Sequence, residues 1–121
     1  MPRGRLQSVI PSVSGMEIYR WSDVEKRKLD PFTTRQAIHG ESMTIARFEV
    51  RKGSILAEHS HHNEQFSTVQ SGAIRFVIGG EPVTLRAGES VRIPPHVPHS
   101  AEVLEDAVAI DTFSPPRDDW K

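Results

Sequence analysis

The chain of 121 residues is long enough for one hydrophobic core and too short for two, so its length predicts a single domain. Apolar residues make up 36% of the chain and charged residues 26%, which is typical of a globular protein and excludes a wholly disordered or fibrous chain. The 15 Lys and Arg and 16 Asp and Glu residues give a net charge of -1, which predicts neither nucleic acid nor an anionic membrane as a partner.

The absence of cysteine excludes disulfide bonds, thiolate nucleophiles and cysteine-ligated metal sites. Any metal ion must therefore be held by nitrogen and oxygen ligands. No apolar run reaches the roughly 18 residues that a membrane span needs, and the N-terminal residues lack the apolar region of a secretory signal. We therefore expect a cytoplasmic protein.

The N-terminal third of the chain carries weak structural signals. Residues 1–15 are rich in proline, serine and glycine without periodicity, which predicts a mobile arm or an edge strand before a single domain over residues 16–121. Ser22 and Glu25 have the spacing of a capping box. A short helix is therefore expected to begin there, with Pro31 ending it near Leu29.

From Met43 onward the sequence follows a period of two, which is typical of β-strands. Gly79 and Gly80 separate two such segments and permit the positive φ angles of a tight hairpin turn. Many short strands between glycine and proline turns indicate an all-β sandwich or barrel. The predicted strands cover residues 43–50, 65–70, 74–78, 81–85, 90–93, 100–104 and 108–113.

Histidines are clustered in this β-rich region. His59, His61 and His62 lie together, and His96 and His99 lie together further along the chain. Imidazole nitrogens are common ligands of transition metals, so the clusters indicate a metal site. The alternative is a solvated polar loop without chemical function.

Strand parity separates the possible ligands. Residues two apart in a strand share a face, so His59 and His61 can reach one ion. The same parity places Asn63 and Gln65 on that face and turns Glu64 away. It therefore favours Gln65 over Glu64 as a third ligand, although a bulge would change the parity.

The first histidine cluster resembles the first motif of the cupin superfamily. That motif runs Gly, five residues, His, one residue, His, three or four residues, Glu, six residues, Gly. Its positions correspond here to Gly53, His59, His61, Gln65 and Gly72, with glutamine where glutamate is usual.

The second cluster resembles the second cupin motif, which runs Gly, five residues, Pro, one residue, Gly, two residues, His, three residues, Asn. Gly88, Pro94 and His99 match this motif, whereas His96 replaces the turn glycine and Val103 the asparagine. The resemblance covers about residues 43–113 and implies a single-domain cupin, a jelly-roll β-barrel also called a double-stranded β-helix.

The cupin resemblance implies a metal site made of His59, His61, Gln65 and His99. It would bind one divalent transition ion, with Zn, Ni, Mn, Fe and Co all compatible with these donors. Neutral ligands leave the ion its full charge and make it a stronger Lewis acid than a glutamate would. His62, His96 and His39 fall outside the motif positions and are expected at the surface without a role. The alternative is a cupin that keeps these residues and binds no ion.

The C-terminal segment TFSPPRDDW, together with the histidine motifs, resembles small bacterial cupins of the KdgF type, which act in pectin degradation. That resemblance implies an active site containing Asp111, Phe113 and Arg117 and a reaction that linearises 4,5-unsaturated uronates. Asp111 would transfer protons, Arg117 would bind the substrate carboxylate and Phe113 would pack on the sugar. The alternative for Asp111 and Arg117 is a structural ion pair at the barrel rim.

Two other functions stay open at the level of sequence. One is an iron or manganese cupin dioxygenase, and the other is a non-catalytic cupin that binds a small ligand. In each case the expected partner is a small molecule, anionic if the chain is a uronate enzyme. A homodimer is also expected, because the segment before Met43 has apolar residues that could extend a partner's sheet: Ile10, Val13, Ile18 and Trp21.

Overall fold

The computed structural model describes residues 14–121. The arm or edge strand expected at residues 1–15 therefore lies outside the described residues, apart from Ser14 and Gly15, which belong to no strand. No helix between residues 14 and 121 has the length and hydropathy to cross a membrane.

The described chain is built almost entirely from β-strands, which confirms the all-β class. Its helical segments are two 3-10 helices of three residues each, Trp21–Asp23 and Asp118–Trp120. The strands are β1 (Arg27–Asp30), β2 (Thr33–His39), β3 (Thr44–Val50), β4 (Ile55–His59), β5 (Glu64–Ile78), β6 (Glu81–Arg86), β7 (Ser90–Ile93) and β8 (His99–Ser114).

The two longest strands, β5 and β8, pair with each other in antiparallel fashion and organise the sheet. The strand order is β1-β2-β3-β8-β5-β6, with β4 added to β8 and β7 added to β5. The first part of β5 pairs with β7 and the later part of β8, whereas the second part of β5 pairs with β6 and the start of β8. The two halves share one core, as in a jelly roll. That core contains Val69, Ile74, Phe76, Leu85, Val103, Ala107 and Ala109.

Gly72 marks the irregular point between the two halves, where the β5–β8 register shifts. Its φ angle is +81°, in the left-handed region that favours glycine. A Cβ atom at this position would lie 2.1 Å from the carbonyl oxygen of Asp106 and 2.8 Å from the Cα of Ala107. The close approach of β5 to β8 therefore requires glycine.

The register shift explains one difference from the predicted strands. Residues 65–70 and 74–78 form one strand, β5, and residues 100–104 and 108–113 likewise form β8, because the irregularity bends the ladder without ending it. The predicted hairpin is confirmed. Gly79 and Gly80 have φ angles of 57° and 84°, and Ile78 pairs with Glu81 across them.

The helix expected near residues 22–29 is wrong. Helical structure stops at Asp23, Val24 is extended and buried, and β1 follows. The amide of Gln36 on β2 donates to the carbonyls of Trp21, at 2.6 Å, and Val24, at 2.9 Å. These contacts and the pairing of β1 with β2 provide hydrogen-bond partners for backbone groups that would otherwise have been bonded within a helix.

Candidate metal centre

Three histidines from two parts of the chain lie close together in the fold. His59 ends β4, His61 follows it in the connecting loop, and His99 begins β8 directly opposite His59. One potential ligand atom from each of the three lies within 4.8 Å of the other two. The ring centroids are 4.3 Å apart for His59 and His99, 5.0 Å for His61 and His99, and 5.5 Å for His59 and His61.

The three imidazoles are oriented in the same way, by a contact between Nδ1 and a backbone carbonyl. In each ring, Nδ1 lies within hydrogen-bond distance of a carbonyl two residues away, so Nδ1 carries the proton and Nε2 has a free lone pair. The Nε2 atom of His99 is buried with no partner among the described residues, which suits a metal ligand. The carbonyls are those of Ala57 for His59 (3.1 Å), Asn63 for His61 (3.1 Å) and Val97 for His99 (2.8 Å).

The electrostatic environment keeps two of these rings neutral. Burial lowers the pKa of His61, and the charge of Arg117 and the nearby His99 lower it further, against the raising effects of the hydrogen bonds to Asn63 and Gln65. Burial also lowers the pKa of His99, helped by His59 and Arg117 and opposed by the hydrogen bond to Val97. Neutral imidazole is the form that binds a metal ion.

Gln65 lies beside the three histidines. Its side chain is almost wholly buried, and its amide nitrogen donates to Ser67 Oγ, at 2.9 Å, and to Asp111 Oδ2, at 3.1 Å. Its Oε1 atom therefore faces His61 Nε2, 3.1 Å away. These two atoms form a hydrogen bond when Nε2 carries the ring proton, whereas with the proton on Nδ1 both are acceptors and a cation between them would stabilise the contact. Two ligands that each lie about 2.1 Å from a tetrahedral ion are roughly 3.4 Å apart, so the spacing of Gln65 Oε1 and His61 Nε2 is compatible with a shared metal ion.

Gln65 and Glu64, the first two residues of β5, point in different directions. Glu64 lies on the outside, where its carboxylate pairs with Arg92. Asn63 does not share the ligand direction that parity predicted, because β4 ends at His59 and the alternation is interrupted. Parity therefore gave the right direction for Gln65 and the wrong one for Asn63.

Asp111 lies on β8, opposite Ser67 of β5. One carboxyl oxygen accepts the hydrogen bond from Gln65, and the other, Oδ1, is buried with no partner among the described residues. The side chain also borders a cavity of about 170 Å³ whose other walls include Phe48 and Val103. Burial raises the pKa of Asp111 to about 7, against the lowering effects of its hydrogen bonds to Ser67 and Gln65 and of the Arg117 charge. The carboxyl group can therefore hold a proton near neutral pH.

Arg117 stands beside this site but is paired with Asp119. Its Nε and Nη2 atoms donate to the two carboxylate oxygens of Asp119 at 3.0 and 2.9 Å. The guanidinium also lies over the rings of Phe113, at 4.9 Å, and Trp120, at 4.3 Å. The ion pair between Asp111 and Arg117 considered from the sequence is therefore not formed, because Asp119 takes that place.

Phe113 contacts His61 and is itself covered by Trp120. Phe113 is 2% exposed, and its ring contacts His61 at 5.8 Å and Trp120 at 5.1 Å between centroids. Sequence reasoning missed Trp120, although an aromatic residue three positions after Arg117 was a visible signal.

The C-terminal segment is held against the fold by polar side chains that sequence reasoning also missed. The amide of Asn63 donates to the carbonyls of Pro115, at 2.6 Å, and Pro116, at 3.3 Å. The backbone N–H of Arg117 donates to the hydroxyl of the fully buried Thr44 at 2.9 Å. These bonds set the position of Arg117.

Comparison with known proteins agrees with this architecture. The cupin domain family matches residues 46–113, which is more than half of the chain. The protein belongs to the cupin family.

Three relatives are informative for this cupin. The pectin degradation protein KdgF of Dickeya dadantii is 37% identical over 71 residues, which are 57% of this chain and 64% of that protein, so less than two thirds of the relative is matched. The structure of KdgF from Halomonas sp. superposes with a TM-score of 0.78 at 28% identity, covering 83% of this chain and 94% of that one. An RmlC-like cupin from Shewanella frigidimarina also has a TM-score of 0.78, at 30% identity, with 83% and 91% covered.

The three histidines that do not occupy histidine positions of the cupin motifs differ in their exposure. His62 and His96 are exposed, as expected. His96 has a φ angle of 67° at the cupin turn-glycine position, and its N–H donates to the His61 carbonyl at 2.8 Å. His39 was expected to be solvated, but it is half-buried and its Nδ1 lies 2.8 Å from Thr44 Oγ1. The same hydroxyl also accepts the backbone N–H of Arg117.

Proposed function

We propose that this cupin is a metal-dependent enzyme that linearises 4,5-unsaturated uronates, opening the ring and forming a ketone. The observation that carries the proposal is Asp111, a buried carboxyl joined through Gln65 to the three-histidine cluster, with one oxygen left without a partner. The likeness to two KdgF proteins, one of them named for pectin degradation, supports the choice of substrate.

The metal would be held by the Nε2 atoms of His59, His61 and His99 and by Oε1 of Gln65. When bound, a divalent transition ion supplies Lewis acidity that polarises substrate oxygens. Because all four ligands are neutral, the protein leaves the charge of the ion undiminished. The hydrogen bonds on Nδ1 of the three rings hold the imidazoles in place for this task.

Asp111 would move the proton. Ring opening removes a proton from the anomeric hydroxyl and breaks the bond between C1 and the ring oxygen. The same reaction adds a proton to C4 as the C5 ketone forms, so no proton is gained or lost overall. Gln65 occupies Oδ2 of Asp111, which leaves Oδ1 to accept the hydroxyl proton and return it to carbon.

Arg117 would bind the uronate carboxylate. Asp119 occupies one edge of the guanidinium, and Nη1 on the other edge makes no hydrogen bond within residues 14–121. A carboxylate can therefore approach that edge. Phe113 is too deeply buried to stack on a sugar, so we assign it to holding Arg117 and His61 in place.

The decisive experiment adds metal-loaded protein to unsaturated uronates prepared from pectin and from alginate. We expect the absorbance of the enol ether to fall faster than in a protein-free control, which measures spontaneous ring opening. An unchanged rate with both substrates would overturn the proposal. Oxygen uptake with catechol-like, thiol or diketone substrates would instead establish the dioxygenase.

A further inference from the structure

Two arginines lie directly opposite each other at the edge of the sheet. Arg27 of β1 and Arg35 of β2 are cross-strand partners in the antiparallel register. Like charges in directly opposed positions destabilise such a pair. The side chains described between residues 14 and 121 provide no ion pair for either guanidinium. A bound anion would remove this repulsion.

The ring of Trp120 supports Arg35. The Arg35 guanidinium carbon lies 4.0 Å from the ring centroid of Trp120, and that of Arg117 lies 4.3 Å from it. Asp119 neutralises Arg117, but Arg35 has no such partner. A guanidinium that rests its face on an aromatic ring keeps its edge N–H donors free for a planar acceptor.

A cleft opens beside these residues. Its volume is about 310 Å³, and Tyr19, Arg27, Arg35 and Trp120 are among the residues that line it. The one side-chain carboxylate among these lining residues is that of Glu25. Cationic side chains therefore outnumber anionic ones among the lining residues. Burial lowers the pKa of Arg35, and the charges of Arg27 and Arg117 lower it further, against the raising effect of Asp119.

We propose that this cleft binds the carboxylate or phosphate group of a small anion between Arg27 and Arg35, with Trp120 as the platform. Its volume is at the lower end of the roughly 300–1,000 Å³ of ligand pockets, which suits a small molecule. The cleft is separate from the candidate metal centre, because neither the three clustered histidines nor Gln65 or Asp111 lines it, and the two are linked by the contact of Trp120 with Arg117.

Calorimetric titration of the full chain tests the cleft with three probes: galacturonate, inorganic phosphate and the neutral sugar galactose. We expect saturable binding of at least one anion and none of galactose, and the preferred anion distinguishes a carboxylate from a phosphate ligand. The same titrations in a His59→Ala, His61→Ala background exclude the histidine cluster as the binding site. Lack of saturable binding by both anions would overturn the proposal.

Arg35→Gln should weaken anion binding by at least about tenfold. The matched control is Arg75→Gln, which removes an exposed arginine of β5 outside the cleft and should leave the affinity unchanged.

Tryptophan fluorescence gives a second readout. The chain has two tryptophans, so in a Trp21→Phe background the signal comes from Trp120 and should change with anion concentration. Equal affinities of wild type and Arg35→Gln would refute the assignment, and Arg35→Lys keeps the test available if the glutamine variant does not fold.

Discussion

Gln65 donates its side-chain amide to Asp111, with 3.1 Å between Nε2 and Oδ2, across the paired strands β5 and β8. The bond turns Oε1 of Gln65 toward His61 and leaves the second oxygen of Asp111 without a partner. It therefore couples the candidate metal ligands to the candidate proton carrier. Effects of substitutions at Asp111 have to be measured together with metal content.

Asp111→Asn separates the proposed proton transfer by Asp111 from its hydrogen bond with Gln65. Asparagine keeps an acceptor oxygen for Gln65 and removes the exchangeable proton, so kcat should fall by about 100-fold while the metal stays bound. Steady-state kinetics and elemental analysis of the same preparation check this result. Glu102→Gln, an exposed position earlier on β8, is the control. Normal turnover by Asp111→Asn would exclude the acid–base role.

We expect purified protein from metal-replete medium to carry about one divalent transition ion per chain. The His59→Ala, His61→Ala double variant should lose the ion because it removes two of the clustered nitrogens. His62→Ala should retain it, since that side chain is exposed. Elemental analysis decides the matter. Equal metal content in the double variant and wild type would contradict the ligand assignment.

Arg117→Ala should chiefly raise KM for an anionic substrate and raise it less for a neutral analogue. The substitution removes a charge that binds the substrate before and during the reaction alike. Initial rates measured over a range of concentrations of both substrates give the comparison. Arg86→Ala is a suitable control because Arg86 is exposed and pairs with Glu105 away from the site. An equal change for both substrates would argue against carboxylate binding.

Gly72→Ala should destabilise the fold far more than Gly80→Ala. Both residues have positive φ, but a Cβ at Gly72 meets the backbone of β8, whereas one at Gly80 meets nothing within 4 Å. We expect a loss of about 1–2 kcal/mol in the free energy of unfolding for Gly80→Ala and about 4 kcal/mol or more for Gly72→Ala. Urea denaturation measures both, and similar losses would show that β5 and β8 separate easily.

We also predict a homodimer. Several large apolar side chains before Met43 are exposed in the single chain: Met16, Ile18, Leu29 and Phe32. Contact with a second copy would cover such side chains. Sedimentation at micromolar concentration should give the mass of two subunits, and Ile18→Asp should weaken association by roughly tenfold. Val83→Asp, on β6, is the control, and the mass of one subunit for the wild type would refute the prediction.

Local patterns were sufficient to predict the strand at β3 and the hairpin at Gly79 and Gly80. They did not predict β1 or β2, because neither strand has an alternating apolar pattern. All residues of β1 are exposed, and the one buried residue of β2, Gln36, is polar. The resemblance to the cupin motifs pointed to the three histidines that the structure brings together, and it also named Gln65, whose side chain lies beside His61. Thr44 and Asn63 were missed because their bonds to the C-terminal segment join residues 73 and 52 positions apart.

Asn63 has two contacts that restrict how this protein could be redesigned. Its backbone carbonyl accepts the Nδ1 proton of His61, and its amide side chain holds the carbonyls of Pro115 and Pro116. A new C-terminal segment made to accept a different substrate would displace those carbonyls and disturb the loop that orients His61. Libraries that randomise residues after Ser114 should therefore keep both prolines and Asn63, or vary the loop and the segment together.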